Sequence, residues 1–199
     1  LLDALPISLQ YGLSAADRRR AAELYWQAFG GKLSRVMGPE PLALVFLERV
    51  MRADHAIAAL DEHGRLVGLA GFKTPSGGFA GGTSADMRAV YGRWGGLWRA
   101  ALLRLLQGDV DNERFLLDGI CVAREVRSHG IGTALLAEIC AEAIRRGYSA
   151  VRLDVVDSNW RARALYERLG FVATQSHAIG ALSLIFGFKA AITMVRQVR

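Results

Sequence analysis

Phe115-Leu116-Leu117-Asp118-Gly119-Ile120-Cys121-Val122, followed after Ala123 to Val126 by Arg127-Ser128-His129-Gly130-Ile131-Gly132-Thr133-Ala134-Leu135-Leu136, decides the reading of this chain. The first run is short, apolar and bounded by charged residues, which is the pattern of a buried strand. The second opens on glycine and passes into helical periodicity. Leu135, Leu136, Ile139, Cys140, Ala143 and Ile144 form one apolar arc, with Glu138, Glu142, Arg145 and Arg146 opposite, so a helix is predicted over 130–146. Downstream the pattern alternates again: strand at 150–156, helix at 159–169, strand at 171–177. Alternation of this kind predicts an α/β fold with parallel neighbours in a sheet and helices on its faces.

The turn between the strand and the helix carries the first chemical signal. A helix N-terminus presents unpaired N–H groups and a partial positive charge, so an anion placed there finds ready donors. Glycine at 130 and 132 removes side chains that would hold a pyrophosphate at a distance, and Arg127 adds a fixed positive charge. An ordinary glycine turn has the same look when it stands alone. A dinucleotide fingerprint would require a third glycine where Leu135 stands, and the Gly-Lys-Ser/Thr of a P-loop is absent.

Arg127-x-x-Gly130-Ile131-Gly132-Thr133-Ala134-Leu135-Leu136, preceded by Leu117 to Val122, resembles the acetyl-CoA motif of the GNAT superfamily of N-acetyltransferases. Asn159-x-x-Ala162-x-x-Leu165-Tyr166-x-x-x-Gly170-Phe171 resembles the second signature of that superfamily, in the right order and at the right spacing. The resemblance is strong over 115–177, the expected cofactor-binding core. It implies a central mixed, mostly antiparallel sheet of about six to seven strands, with a parallel pair at the cofactor cleft and helices on both faces.

Upstream, a strand at 7–11 and a helix from Ser14 or Asp17 to Phe29, ended by Gly30-Gly31, are predicted. A second helix runs from Pro39 to Met51, and 55–60 and 65–73 form a hairpin about Asp61-Glu62-His63-Gly64. This order is compatible with the opening of the resembled superfamily. Residues 74–107 depart from its minimal pattern: 74–84 is rich in Gly and Ser and reads as a mobile loop, and 86–107 as a helix with a kink at Gly95-Gly96. The aromatic stripe of that helix fits core packing or a wall that narrows the site. A last strand is expected over 190–198, after a loop or hairpin containing Gly180 and Gly187.

The chain has 199 residues, 52% hydrophobic and 22% charged, enough for one core and one domain. No apolar run reaches the roughly 20 residues of a membrane-spanning helix, so a soluble, cytoplasmic protein with no membrane partner is expected. Cys121 and Cys140 fit neither a disulfide framework nor a metal site, and no metal is expected. The net charge of +6 is spread over scattered arginines with no basic run interleaved with aromatics, which points to an anionic small ligand rather than nucleic acid. Asp3-Ala4-Leu5-Pro6-Ile7 is what a common sequencing-library adapter encodes in one frame, so 1–7 are read as non-native and loosely packed.

The resemblance implies the rest of the site. Main-chain groups of Ile120, Cys121 and Val122 would pair with the pantetheine arm, and Arg127, Ser128, His129, Gly130, Ile131, Gly132 and Thr133 would hold the pyrophosphate, with Asn159 and Tyr166 beside the cofactor. The amine attacks the thioester directly, so the enzyme must orient it, accept a proton and release a thiolate. Tyr166 shares an inward helical face with Asn159, Ala162, Leu165 and Leu169, and is the expected proton donor; a buried tyrosine with a structural hydrogen bond is the alternative. Asp118 is the candidate base or ammonium holder, with a hydrogen-bonding carboxylate as the equal alternative. Trp26, Phe29, Met37 and the Gly-rich segment 74–84 are the expected acceptor wall, by analogy. Cys121 reads as a core residue, His129 as a phosphate contact or a loop residue, and His55 and His177 receive no role. The function expected is acetyl transfer from acetyl-CoA to a small primary amine by a monomer or homodimer. The alternatives are a peptide or protein N-acetyltransferase and a non-catalytic acyl-CoA-binding module.

Overall fold

A computed structural model describes residues 6–104 and 113–198. Among the described residues eight strands and six α-helices follow in the order β1 (Ile7–Tyr11), α1 (Arg18–Met37), α2 (Glu40–Val50), β2 (Ala56–Asp61), β3 (Leu66–Thr74), β4 (Gly77–Gly78), α3 (Ser84–Arg104), β5 (Phe115–Val122), α4 (Ile131–Arg145), β6 (Ala150–Val156), α5 (Trp160–Arg168), β7 (Val172–Ala178), α6 (Ser183–Phe186) and β8 (Ala190–Gln197). The sheet order is β1-β2-β3-β5-β6-β8-β7, with β4 on β3. Every described pairing is antiparallel except β5 with β6. This is the expected mixed, mostly antiparallel sheet with one parallel pair.

Two apolar layers cover the sheet. On one face Leu135, Leu136 and Ile139 of α4 pack with Phe72, Phe115, Val151 and Met194, and Tyr166 of α5 belongs to the same layer. On the other, Ala21 and Leu24 of α1 and Leu44 and Leu47 of α2 meet Ala58, Leu69 and Phe79. The two faces thus have different occupants, α4 and α5 against α1 and α2, which matters for the site below.

Several local expectations are revised. Helix α1 does not stop at Gly30-Gly31 but continues to Met37, ending at Gly38 before Pro39. Gly30 gives room to the indole of Trp26, which a Cβ there would meet at 2.8 Å. The added turns are held because Val36 and Met37 are buried, Met37 beside Ala43, Phe46, Val50 and Met87. Their terminal carbonyls also find donors: Arg99 Nε donates to Val36 O at 2.7 Å, and Tyr91 Oη to Met37 O at 2.6 Å. Helix α3 breaks at Gly92, whose φ of 76° only glycine adopts freely, rather than at Gly95-Gly96. The predicted end of that helix at 105–107 lies outside the described residues. Its aromatic stripe serves α1: the Arg99 guanidinium stacks over the rings of Tyr91 and Trp98 at 4.4 and 4.3 Å, while Trp94 stands exposed.

The Gly/Ser-rich segment 74–84 is tied down rather than a free loop. Its residues Gly77 and Gly78 pair with Thr74 and Lys73, and Phe79 is fully buried. Phe79 N–H donates to Phe72 O at 3.2 Å, and Arg52 N–H to Phe79 O at 2.9 Å. At the N-terminal edge, Ile7 pairs with Asp61 and is half-buried and Pro6 is exposed; residues 1–5 of the suspected foreign stretch lie outside the described residues.

The outer face of α4 departs from its helical-wheel reading, since Ile144 is exposed and Glu142 is buried. Glu142 accepts hydrogen bonds from Arg145 Nε at 2.9 Å, Arg146 Nε at 2.5 Å and the Tyr11 hydroxyl, which ties β1 to α4. Burial alone would raise its carboxyl, but the hydrogen bonds from Tyr11, Arg146 and Arg145 outweigh it and the net shift is downward. A depressed carboxyl stabilises the fold above its ordinary value of 4.5, and that contribution is lost as pH falls through the lower folded value. Glu142→Gln is therefore expected to cost about 1–3 kcal/mol in denaturant melts at pH 7. The gap to the wild type should close as the melts are repeated at progressively lower pH below 4.5; a gap independent of pH would remove the charge from the explanation.

Candidate active site

Strands β5 and β6 are paired only at Phe115↔Val151 and Leu116↔Arg152, and then part. The register between β3 and β5 explains the divergence. Gly71 faces Gly119 while Phe72 faces Leu117, so Asp118 is an extra residue that bulges β5 and bends it away. Gly119 then lies under α1, where a Cβ would meet Phe29 at 3.1 Å and Tyr25 at 3.3 Å. The aromatic pair of α1, with ring centroids 4.5 Å apart, fills the space beside the bulge.

The gap between the strands is a cleft of ≈ 990 Å³ bounded by α1, β5, the 127–133 turn, β6 and α5. Ala123 N–H donates to Val67 O at 2.8 Å, and antiparallel alternation places Cys121 and Gly119 in the next bonded pairs with β3. Ile120 and Val122 consequently turn their main-chain groups to the open edge. Val122 O receives Arg127 Nε at 3.1 Å, which fixes the arginine at the rim.

The turn itself is built for close approach. Ser128 and Gly130 both have positive φ, 69° and 83°, and Gly130 leads into α4 in the left-handed region. No side chain caps that helix and its first turn has no acid. The first backbone bond to Gly130 O comes from Ala134 N–H at 3.0 Å, so the amides of 131–133 are free of intrahelical partners. A Cβ on Gly132 would stand 3.4 Å from Leu165, in ordinary contact, so any larger side chain must extend into the cleft. His129 does not line the cleft; it is half-buried and its Nδ1 has no hydrogen-bond partner.

Helix α5 forms the opposite wall. Asn159 Oδ1 accepts the Ala162 N–H at 3.4 Å, which makes Asn159 its N-cap, and Gly170 at φ 82° ends the helix so that Phe171 N–H returns to Tyr166 O at 3.0 Å. The two caps hold Tyr166 on the cleft side, 7% exposed, with its ring 6.0 Å from that of Phe171. Burial pushes its phenol up to about 12, so it carries its proton at neutral pH. Among the described residues no protein group is hydrogen-bonded to its hydroxyl, which distinguishes it from a tyrosine held for structure.

The sequence profile of the Acetyltransferase (GNAT) family matches residues 18–171. The chain belongs to this family. It is 38% identical over 74 residues to a "Probable N-acetyltransferase camello" of Xenopus tropicalis, a stretch covering 37% of this chain and 33% of that protein. It is 41% identical over 54 residues to a "Thialysine N-epsilon-acetyltransferase" of Bos taurus, covering 27% and 32% respectively. The matched stretches thus span about a third of these curated relatives. The crystal structure of a GNAT superfamily phosphinothricin acetyltransferase from Sinorhizobium meliloti in complex with AcCoA superposes with a TM-score of 0.59 at 18% identity, over 96% of this chain and 88% of that one, a likeness of fold.

Within this GNAT cleft the remaining residues named from sequence divide. Phe29, Asp118, Ile120, Cys121, Val122, Arg127, Ser128, Gly130, Ile131, Gly132, Thr133, Asn159 and Tyr166 line it. Trp26 does not: it lines a separate depression with Arg20, Glu40 and Arg124, and Met37 is buried between α2 and α3. Both were placed at the acceptor wall by analogy with the superfamily, and the continuation of α1 to Met37 carries Met37 into the contact with α2 and α3 instead. Tyr91, Trp94 and Trp98 also stand away from the cleft, which no described residue of 74–104 lines. Burial raises the thiol of Cys121 to about 12, as befits a core residue. Among the described residues no cluster could hold a metal ion. The lining residues Gln27 and Lys32 were missed, because a helix ended at Gly30 offers no periodicity through which to read Lys32.

Asp118 is not a free carboxylate. Lys73 Nζ lies 3.1 Å from Oδ1 and Ala80 N–H donates to Oδ2 at 3.1 Å, so Asp118 fastens the Gly-rich segment to the bulge. Asp118→Ala is expected to speed amide hydrogen exchange at Ala80 and through 77–82 while leaving α4 unchanged; unaltered exchange there would show that Phe79 alone anchors the segment.

Proposed function

We propose that the chain transfers an acetyl group from acetyl-CoA to the primary amine of a small molecule. The observation that carries this reading is the phenol of Tyr166, buried, protonated and turned to the cleft with no protein partner among the described residues.

Three features fit the cofactor. The uncapped first turn of α4 offers donors to phosphate oxygens, and the open edge at Ile120 and Val122 offers an extended arm the pairing of an added strand. The lining cations Arg127, Arg161 and Arg168 also outnumber the lining acids Asp118 and Asp154, which suits a polyanion. Acetyl-CoA, when bound, supplies an activated acetyl thioester. The residues of the chain then do the rest: α4 and Arg127 hold phosphate, β5 aligns the arm, and Tyr166 donates its proton to the departing sulfur. The amine gives up its proton to water in the cleft, since Asp118 is already held by Lys73 and the Ala80 amide.

A small acceptor is supported by the extension of α1, whose Gln27, Phe29 and Lys32 line one side of the cleft and whose end reaches α6, where the Arg35 guanidinium donates to Leu184 O. The printed name of the bovine relative, which acts on thialysine, points the same way. An open groove for an extended polypeptide would need that side clear.

Gly132→Glu is expected to weaken acetyl-CoA binding in calorimetry while thermal stability stays near the wild type, since its Cβ has room and its carboxylate enters the cleft. Undiminished affinity in the folded variant would remove the pyrophosphate from this turn. Tyr166→Phe should lower turnover by about 100-fold or more with little change in acetyl-CoA affinity. Equal turnover where chemistry limits the rate would deny the phenol its role as acid.

A further inference from the structure

Among the described residues Lys32 is the cation that the α1 side of the cleft presents without a counterion. Lys32 lines the cleft from α1, is half-buried, and makes no hydrogen bond or ion pair among the described residues. The acids that could neutralise it are engaged elsewhere. Asp118 is taken by Lys73 and the Ala80 amide, and Asp154 Oδ1 accepts the Thr193 hydroxyl at 2.5 Å. Asp157 attracts it from a distance, but both oxygens of Asp157 face the Lys189 N–H at 3.3 Å. Burial lowers the pKa of the Lys32 ammonium and the pull of Asp157 only partly opposes this, the state of a cation that lacks a close partner.

The phosphates of a nucleotide do not fill this role. Their donors lie at the N-terminus of α4, whose helix packs on one face of the sheet, whereas α1 packs on the other. Lys32 faces whatever enters from the α1 side. Gln27, on the same helix, lines both this cleft and the neighbouring depression, and its buried side-chain oxygen has no donor among the described residues, a position that a ligand N–H or O–H can fill.

Resting on the acetyl-transfer reading above, we propose that the acceptor is an amine that also carries a carboxylate, an amino acid or a close analogue, and that Lys32 is the residue that selects it by pairing with that carboxylate. Gln27 receives a hydrogen-bond donor of the same molecule. The charge of the acceptor, rather than its length, then sets specificity.

Matched acceptors test this: amino acids beside their decarboxylated amines and carboxamides, assayed with acetyl-CoA by thiol release. The wild type should favour the carboxylate member in kcat/KM by about tenfold or more, the size of one partly buried charge pair. Lys32→Met should erase the preference mainly through KM for the carboxylate member, with acetyl-CoA affinity unchanged in calorimetry, and Lys32→Arg should restore part of it. Equal or better turnover of the uncharged amines, or a preference that survives Lys32→Met, overturns the assignment of Lys32 while leaving acetyl transfer standing. If acetyl-CoA binds and no amine in the panel is acetylated, the transfer reading falls and the inference falls with it.

Discussion

The parallel contact between β5 and β6 lasts for two residue pairs, and the rest of the molecule is arranged around its early end. A sheet interrupted in its middle leaves main-chain groups without partners, and each such group costs about 1–3 kcal/mol if it is also kept from water. The fold tolerates this because each half of the sheet is secured independently, β5 by its antiparallel ladder to β3 and β6 by seven pairs with β8. The bulge at Asp118 does the bending, and the close approach of Phe29 to Gly119 keeps the two strands from reclosing. The unpaired edge is therefore open to solvent or to a ligand that can complete it.

Features whose cause is local were legible in the sequence. The turn at 127–133 is backbone chemistry written in a few adjacent residues, and the span of α5 was readable with it, though Asn159 caps that helix rather than lying on its inward face, and Gly170 in the left-handed region returns Phe171 to Tyr166. The inward face of α5 was readable for the same reason, since helical spacing alone puts Tyr166 beside Leu165 and Ala162. Features decided at long range were not. Gly30-Gly31 looks like a stop, and the helix runs through it because Arg99 and Tyr91, some sixty residues later, bind the carbonyls at its new end. That extension adds about 12 Å of helix. It moves Met37 out of reach of the cleft and brings Lys32 into it.

Glu142 failed for a related reason. A helical wheel assigns faces relative to one packing partner, and α4 has two: the sheet beneath it and Tyr11 on β1 at its flank. A carboxylate between two arginines and a phenol can be buried where a solitary one could not. Ile144, on the side with no partner, stands exposed.

Asp118 shows how the same non-local contacts bear on chemistry. In the sequence it is a lone carboxylate on an apolar strand, and a lone carboxylate invites the role of base. In the fold Lys73 and Ala80 already occupy it, and because Lys73 is half-exposed the ion pair itself contributes little, of the order of 0–1 kcal/mol. Its importance is positional: the residue that bends β5 is also the one that fastens 77–80 against the bend, so the opening of the cleft and the order of that segment are coupled. The coupling also sets the charge of the site. Once Asp118 is matched by Lys73, Lys32 is left on the α1 side of the cleft without a close partner among the described residues, on the face opposite the helix N-terminus. The first turn of α4 and Lys32 then present positive charge to the cleft from opposite faces of the sheet, on either side of the gap that the shortened β5–β6 ladder leaves open.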